Sequence, residues 1–309
     1  MKFSIRYYQL FLLPAGAKER AEVRRQGMRT HALDLATIAV CLERTEGAVG
    51  IATGPWTPQS KEQRRVLELY GIWRNVLRNL TDIVAKTTIV WDATHTIGTV
   101  TVETTLDKLV QWVDGRAGPV TVFGANQQRY PGFKLTKSGY NIRKTKQGTL
   151  VQALTSSDTN LWLFLPREDL APAHGIAMVE MASGLMQEWQ SSTPASYEEA
   201  HVPMMDFRLK PNIMFLGGLS IRGTEGSCTV VQASQDFRMR MDQQGARVKV
   251  QTYMRSQLIG AAMRTLPRIL VFDRPFYGWY AQTGISIPLA VFYGDYDSWR
   301  KPAGSLAEL

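Results

Sequence analysis

The sequence predicts an α+β fold, with helices mainly in the N-terminal part and strands after them. Three observations predict it. Apolar residues recur at helical spacing before Leu80, and residues 87–103 are rich in Thr, Val and Ile. From Phe237 to Tyr293, apolar and polar residues alternate around turn signals. Helices early and strands late describe segregated layers, not a parallel sheet built from alternating units.

Taken in order, residues 18–29 form a charged helical pattern. Residues 31–43 form an apolar one, carried by Leu33, Leu35, Ala36, Ile38, Ala39, Val40 and Leu42. Gly47, Gly50 and Gly54-Pro55 punctuate the stretch beyond it. Ser60 ahead of Glu62 and Gln63 marks a second helix start, and Val66, Leu67, Tyr70, Trp73 and Leu77 keep the spacing. Residues 106–113 return to a helical pattern. Residues 120–123 and the basic segment beyond them read as strands. Near the end, Phe237-Arg-Met-Arg-Met241 alternates with period two, and Asp242-Gln243-Gln244-Gly245 is turn chemistry. Residues 246–252 alternate again, which predicts a hairpin with 235–241. A strand pattern then runs from Phe272 to Tyr280, Thr283-Gly284 turns the chain, and residues 287–293 return.

With 309 residues and no Gly/Ser/Pro-rich linker, repeat or low-complexity run, the reading is a single domain over 1–309. The formal charge is +9. Between Asp114 and Asp158 no acidic residue occurs, while Arg116, Arg129, Lys134, Lys137, Arg143, Lys144 and Lys146 do, with Tyr130, Phe133 and Tyr140 interleaved. Such a segment is either a solvated face or a polyanion site for a sulfated glycan. In the second case Arg129, Lys134, Lys137, Arg143, Lys144 and Lys146 are the candidates, and a hairpin about Ser138-Gly139 would bring Lys134 and Arg143 together. No specific nucleic-acid motif accompanies the segment.

Cys41 and Cys228 belong to no metal-ligand spacing and read as free thiols by default. The apolar run 10–13 is cut by Pro14, too short for a secretory signal core, which favours a cytoplasmic chain over a secreted one. No run reaches the length of a membrane span. Asn79-Leu-Thr81 is a sequon of consequence only in a secreted protein.

Four scattered histidines (His31, His95, His174 and His201) form no paired ligand set, so no metal is expected. No phosphate loop, dinucleotide fingerprint or nucleophile elbow occurs, and no cofactor is implied. Nothing assembles a nucleophile, a base and an oxyanion hole, so the chain reads as a non-enzyme.

The tail resembles the C-terminal signature of the serpins. The matching order is a strand, a polar turn ending in Gly245, a loop, the box Asp273-Arg274-Pro275-Phe276, and a hairpin turning at Thr283-Gly284 with Gly294 and Pro302 behind it. Asp158-Thr-Asn-Leu-Trp-Leu-Phe-Leu-Pro166 is similar to the family's strand ending in Leu-Pro. Residues 201–209 resemble its later Leu-Pro-x-Phe strand, 213–219 its following short helical stretch, and 109–115 an Asn-x-Trp-Val helix end. The resemblance implies a serpin-like fold with a large mixed β-sheet and a C-terminal antiparallel hairpin core. The chain is shorter than a typical member, so peripheral elements should be missing.

The resemblance also implies a hinge at Gln243, Gln244, Gly245, Ala246, Val248 and Val250. Inhibitory serpins trap a protease when the cleaved loop inserts into the main sheet, and their hinges carry small residues, mostly Ala. Here Val248, Lys249, Val250 and Gln251 stand instead. Long side chains lose more rotamer freedom and must pass packed neighbours, which slows insertion. Ala246, Val248, Val250 and Thr252 share one face, a pattern that suits a permanent hairpin. The expected function is therefore a non-inhibitory, serpin-like binding protein acting on a protein partner. The alternatives are a suicide-trap protease inhibitor with its reactive bond near Ile259-Gly260, and a structural or assembly role for a repurposed scaffold, for example in a virus.

Overall fold

The computed structural model describes residues 29–77, 80, 83–91, 98–108, 110–113, 117–246, 268–304 and 306. The predicted helix over 18–29 lies outside these residues except for Arg29, and both ends of the Asn79-Leu-Thr81 sequon lie outside as well.

The helices are α1 (Leu35–Ala48), α2 (Lys61–Trp73) and α3 (Ile176–Glu188). The early strands are β1 (His31–Asp34), β2 (Ile83–Trp91), β3 (Gly98–Leu106), β4 (Val110–Gln111), β5 (Gly118–Phe123) and β6 (Arg129–Thr136). Then come β7 (Tyr140–Lys144), β8 (Gly148–Ala153), β9 (Thr159–Pro166), β10 (Thr193–Pro194), β11 (Glu199–Pro203) and β12 (Met205–Leu209). The last are β13 (Ser220–Gly223), β14 (Gly226–Thr229), β15 (Phe237–Asp242), β16 (Gly245–Ala246), β17 (Ile269–Val271), β18 (Phe276–Gln282) and β19 (Ala290–Gly294).

The largest sheet has the order β1-β19-β18-β9-β8-β7-β10 and is antiparallel throughout. A mixed four-stranded sheet, β17-β11-β6-β5, contains the parallel β11–β17 pair. A second four-stranded sheet runs β12-β15-β16-β4. Two hairpins, β13-β14 and β2-β3, stand outside these sheets. The class is α+β, as the helical and alternating patterns implied.

Helix α1 starts four residues later than its apolar pattern. Residues 31–34 instead pair with Tyr293–Ala290, because β19 offers them an open antiparallel edge. Asp34 then caps the helix, its carboxylate accepting from the Thr37 N–H at 2.9 Å. The α2 start matches Ser60, whose hydroxyl accepts from the Gln63 N–H at 3.1 Å. Gln63 returns the bond to the Gln59 N–H, and its amide donates to the Phe215 and Gly217 carbonyls at 2.9 Å each.

Further expectations are corrected. The described residues of 106–113 are not helical. Val110 and Gln111 form β4, and Trp112 bridges to Thr155, so this backbone finds sheet partners that the apolar spacing did not reveal. The 109–115 resemblance to a helix end fails with it, at the positions described. Residues 201–209 are two strands in different sheets, divided at Met204, whose N–H donates to the Pro131 carbonyl at 2.8 Å. The strands flanking Ser138-Gly139 are not a hairpin either. β6 belongs to the mixed sheet and β7 to the seven-stranded one, with a single 3-10 turn (Lys137–Gly139) between them.

The closing hairpin forms as expected, β18 against β19, with Gly284 at φ +85° in the turn. Phe276 is fully buried among Phe272, Phe292 and Trp299, with ring centres 5.1, 6.5 and 6.0 Å away. Arg274 donates to the Pro166 carbonyl and pairs with Asp273 at 3.2 Å, which satisfies the box locally.

Candidate functional site: the hinge and its sheet

Strand β15 buries Phe237, Met239 and Met241 and turns Arg238 and Arg240 away from that face, as the period-two pattern requires. On one edge it pairs with β12 over its whole length, from Met205↔Met241 to Leu209↔Phe237. On the other edge, among the described residues, its last two are paired, Met241 with Ala246 and Asp242 with Gly245.

The turn between them is Gln243-Gln244. Asp242 closes it by accepting from the Gln244 N–H at 2.7 Å, an Asx-type turn. The Gln243 carbonyl accepts from the Ala117 N–H at 2.7 Å, and the Asp242 carbonyl accepts from the Trp112 indole at 3.0 Å. Trp112 is itself buried and stacked on Phe133 at 5.4 Å. A rigid indole therefore fixes the position of the turn.

Gly245 and Ala246 lie between two strands. Besides β15, they pair with β4, Gly245↔Gln111 and Ala246↔Val110. A Cβ on Gly245 would stand 2.2 Å from the Val110 carbonyl oxygen, so the approach of the two backbones needs glycine. Ala246 is fully buried. Of the expected strand over 246–252, Ala246 is described, and it pairs with Met241. Val248 and Val250, like the candidate reactive bond Ile259-Gly260, lie outside the described residues.

Beside the less-paired edge of β15 is a cavity of about 760 Å³, bounded by α1, β3 and residues 228–240. Cys41, Thr104, Val230, Gln235 and Phe237 line it. Both cysteines are free thiols; burial pushes both thiols up, opposed at Cys41 by the hydrogen bond with Thr104. Asp34 lines the same cavity, and burial raises its carboxyl to about 7 against the pull of the Thr37 hydrogen bonds.

The basic candidates fall on two sheets and a turn. Arg129 and Lys134 sit on β6, Lys137 in the 3-10 turn, Arg143 and Lys144 on β7, and Lys146 beyond it. Several have partners within the fold. Lys134 bonds Glu199 at 2.8 Å, and Glu199 also meets His201 at 2.8 Å, two bonds that hold its carboxyl below the usual range. Arg143 donates to the Ser192 carbonyl at 2.8 Å and lies over the Trp189 ring at 5.0 Å. Arg129 lies over Phe123 at 5.3 Å.

Sequence reasoning placed the turn at Gln243-Gln244 and the glycine that follows it. It missed Trp112, which it read as part of a helix. The available signal was the Thr/Val-rich run ahead of it, which extends as strand to Leu106.

No protein-family model matches the chain, and no curated protein matches its sequence. Solved structures do match. A native thermophilic serpin, tengpin, is similar at TM-score 0.57 and 7% identity, over 86% of this chain and 88% of that one. Thyroxine-binding globulin in complex with thyroxine is similar at TM-score 0.55 and 9% identity, over 91% and 96%. A highly specific serpin of the insect Tenebrio molitor is similar at TM-score 0.52 and 9% identity, over 88% and 93%. With so little identity, the likeness resides in the path of the backbone. This chain has the serpin fold.

Proposed function

We propose that this chain is a single serpin-like domain that works as a binding protein for a protein partner, without a catalytic site and without a loop-insertion trap. The observation that carries the reading is the state of the hinge. Gly245 and Ala246 already occupy the position between β15 and β4, bonded on both sides. A trap draws its energy from a strand that has yet to enter the sheet, and here its first residues are within it. Among the described residues, β4 offers Val110 and Gln111 to a strand placed beside it. The bulky hinge residues Val248 and Lys249 support the same reading from sequence.

A binding role has a precedent of form in thyroxine-binding globulin, whose structure holds thyroxine. The rival reading is favoured by the similarity to a serpin described as highly specific, and it makes the loop near Ile259-Gly260 a bait. Incubation with a panel of serine and cysteine proteases separates the two. The expected result is plain proteolysis or none, with no complex that survives detergent. Cleavage within 247–267 is expected to leave the melting temperature nearly unchanged. A detergent-stable covalent complex, or a rise of tens of degrees after cleavage, would overturn the proposal.

A further inference from the structure

The β2-β3 hairpin pairs over nine positions, Ile83↔Leu106 to Trp91↔Gly98, and its two strands are differently placed. β3 lies against α1, where the Thr104 hydroxyl bonds to the Thr37 carbonyl at 3.4 Å and meets the Cys41 sulfur at 3.3 Å. β2 is the outboard strand. Among the described residues no strand pairs with its other edge. Val84, Ile89 and Val90 are 71%, 44% and 62% exposed.

Natural edge strands are blunted by proline, bulges, shortness or charge. β2 has nine residues, no proline, no glycine and an unbroken register. Its one charge, Lys86, stands opposite Glu103 on β3. The strand is thus an open template for pairing.

The sequence Val84-Ala-Lys-Thr-Thr-Ile-Val90 is nearly its own complement when run antiparallel about Thr87. Val84 then faces the second copy's Val90, Ala85 its Ile89, and Lys86 its Thr88. No like charges stand directly opposite each other, the two Lys86 being diagonal neighbours, and the two exposed valines cover each other twice on the outer face. Directly opposite residues point to the same side of a sheet, so both copies keep their α1-facing sides together. Shifting the centre to between Thr87 and Thr88 loses the Val–Val pairs and sets Lys86 against Ile89. A strand that complements itself fits a two-fold, isologous contact.

We propose that β2 is the interface of a homodimer, built by antiparallel β2–β2 pairing centred on Thr87 into a four-stranded β3-β2-β2-β3 sheet. The test is sedimentation velocity on the full chain across a range of concentrations. The parent should dimerise. Val84→Lys with Val90→Lys places like charges opposite one another twice and should weaken association on the order of 100-fold. Val84→Asp with Val90→Lys should restore it. Thr87→Cys, which faces itself, should form a covalent dimer on mild oxidation, whereas Thr88→Cys should yield no more than the parent. Near-ultraviolet circular dichroism checks that each variant is folded, and the cysteine pair decides alone if the lysine variant is not. A monomeric parent overturns the proposal. Slow amide exchange at 84–90 would then assign the edge to another part of this chain, and fast exchange would leave it to a different protein. A dimer that survives the double lysine variant, or that cross-links equally through Thr87→Cys and Thr88→Cys, overturns it as well.

Discussion

Asp34 performs two tasks that pull against each other. As a carboxylate it caps α1, and it is buried where its charge is poorly solvated. Burial raises its pKa from 3.8 to about 7. The folded state therefore holds this proton more tightly than the unfolded chain. The stability it contributes is complete below pH 4 and is lost as pH rises through about 7. Asn caps a helix as well as Asp does and carries no charge. Asp34→Asn should accordingly raise stability at pH 8, on the order of 4 kcal/mol, with the gain vanishing near pH 4. Denaturant titrations of both proteins at the two pH values measure this. Phe276 is simpler, because it is apolar, fully buried and ringed by aromatics. Phe276→Ala should cost roughly 3–5 kcal/mol in the same assay, and an unchanged midpoint would contradict the packing of the tail.

Among the elements, the hinge hairpin makes the sharpest demand on one backbone position. Gly245→Val would drive a side chain into the Val110 carbonyl and should separate β16 from β4. Amide exchange at Val110 and Gln111 should then accelerate, while the exchange of β18 and β19 stays slow. The elements legible in the sequence were those whose signals are local. These include the Ser60 cap, the alternation of β15, the turn at Thr283-Gly284 and the buried box phenylalanine. Elements settled by distant partners were not legible. Residues 31–34 look helical until β19 is beside them, and Val110–Trp112 look helical until Ala246 and Thr155 supply bonds. Helix α3 went unread, since Ile176–Glu188 is apolar on most sides and shows little periodicity. The turn at Gln243-Gln244 was read directly, whereas the tryptophan that secures it could not be, because their contact spans 130 positions.

For the molecule as a whole, the excess positive charge need not imply a polyanion partner. Lys134 is spent on Glu199, and Arg143 on backbone carbonyls and an indole face. Changing Lys134, Arg143 and Lys144 together to Ala should leave the salt at which the protein leaves a heparin column nearly unchanged. A markedly earlier elution, with a shallower salt dependence, would instead identify these side chains as a sulfated-glycan site. The seven-stranded sheet brings a different consequence. Its middle, β7 to β9, is complete once residue 166 has been made, but β9 receives its second neighbour only when β18 appears, and β1 receives its own only with β19. During synthesis on the ribosome, β1 must wait for a partner encoded more than 250 residues later, and the second edge of β9 stays open until β18 has been made. The nascent chain is thus a natural client for chaperones, and release of its final strands is the event that commits it to the native state.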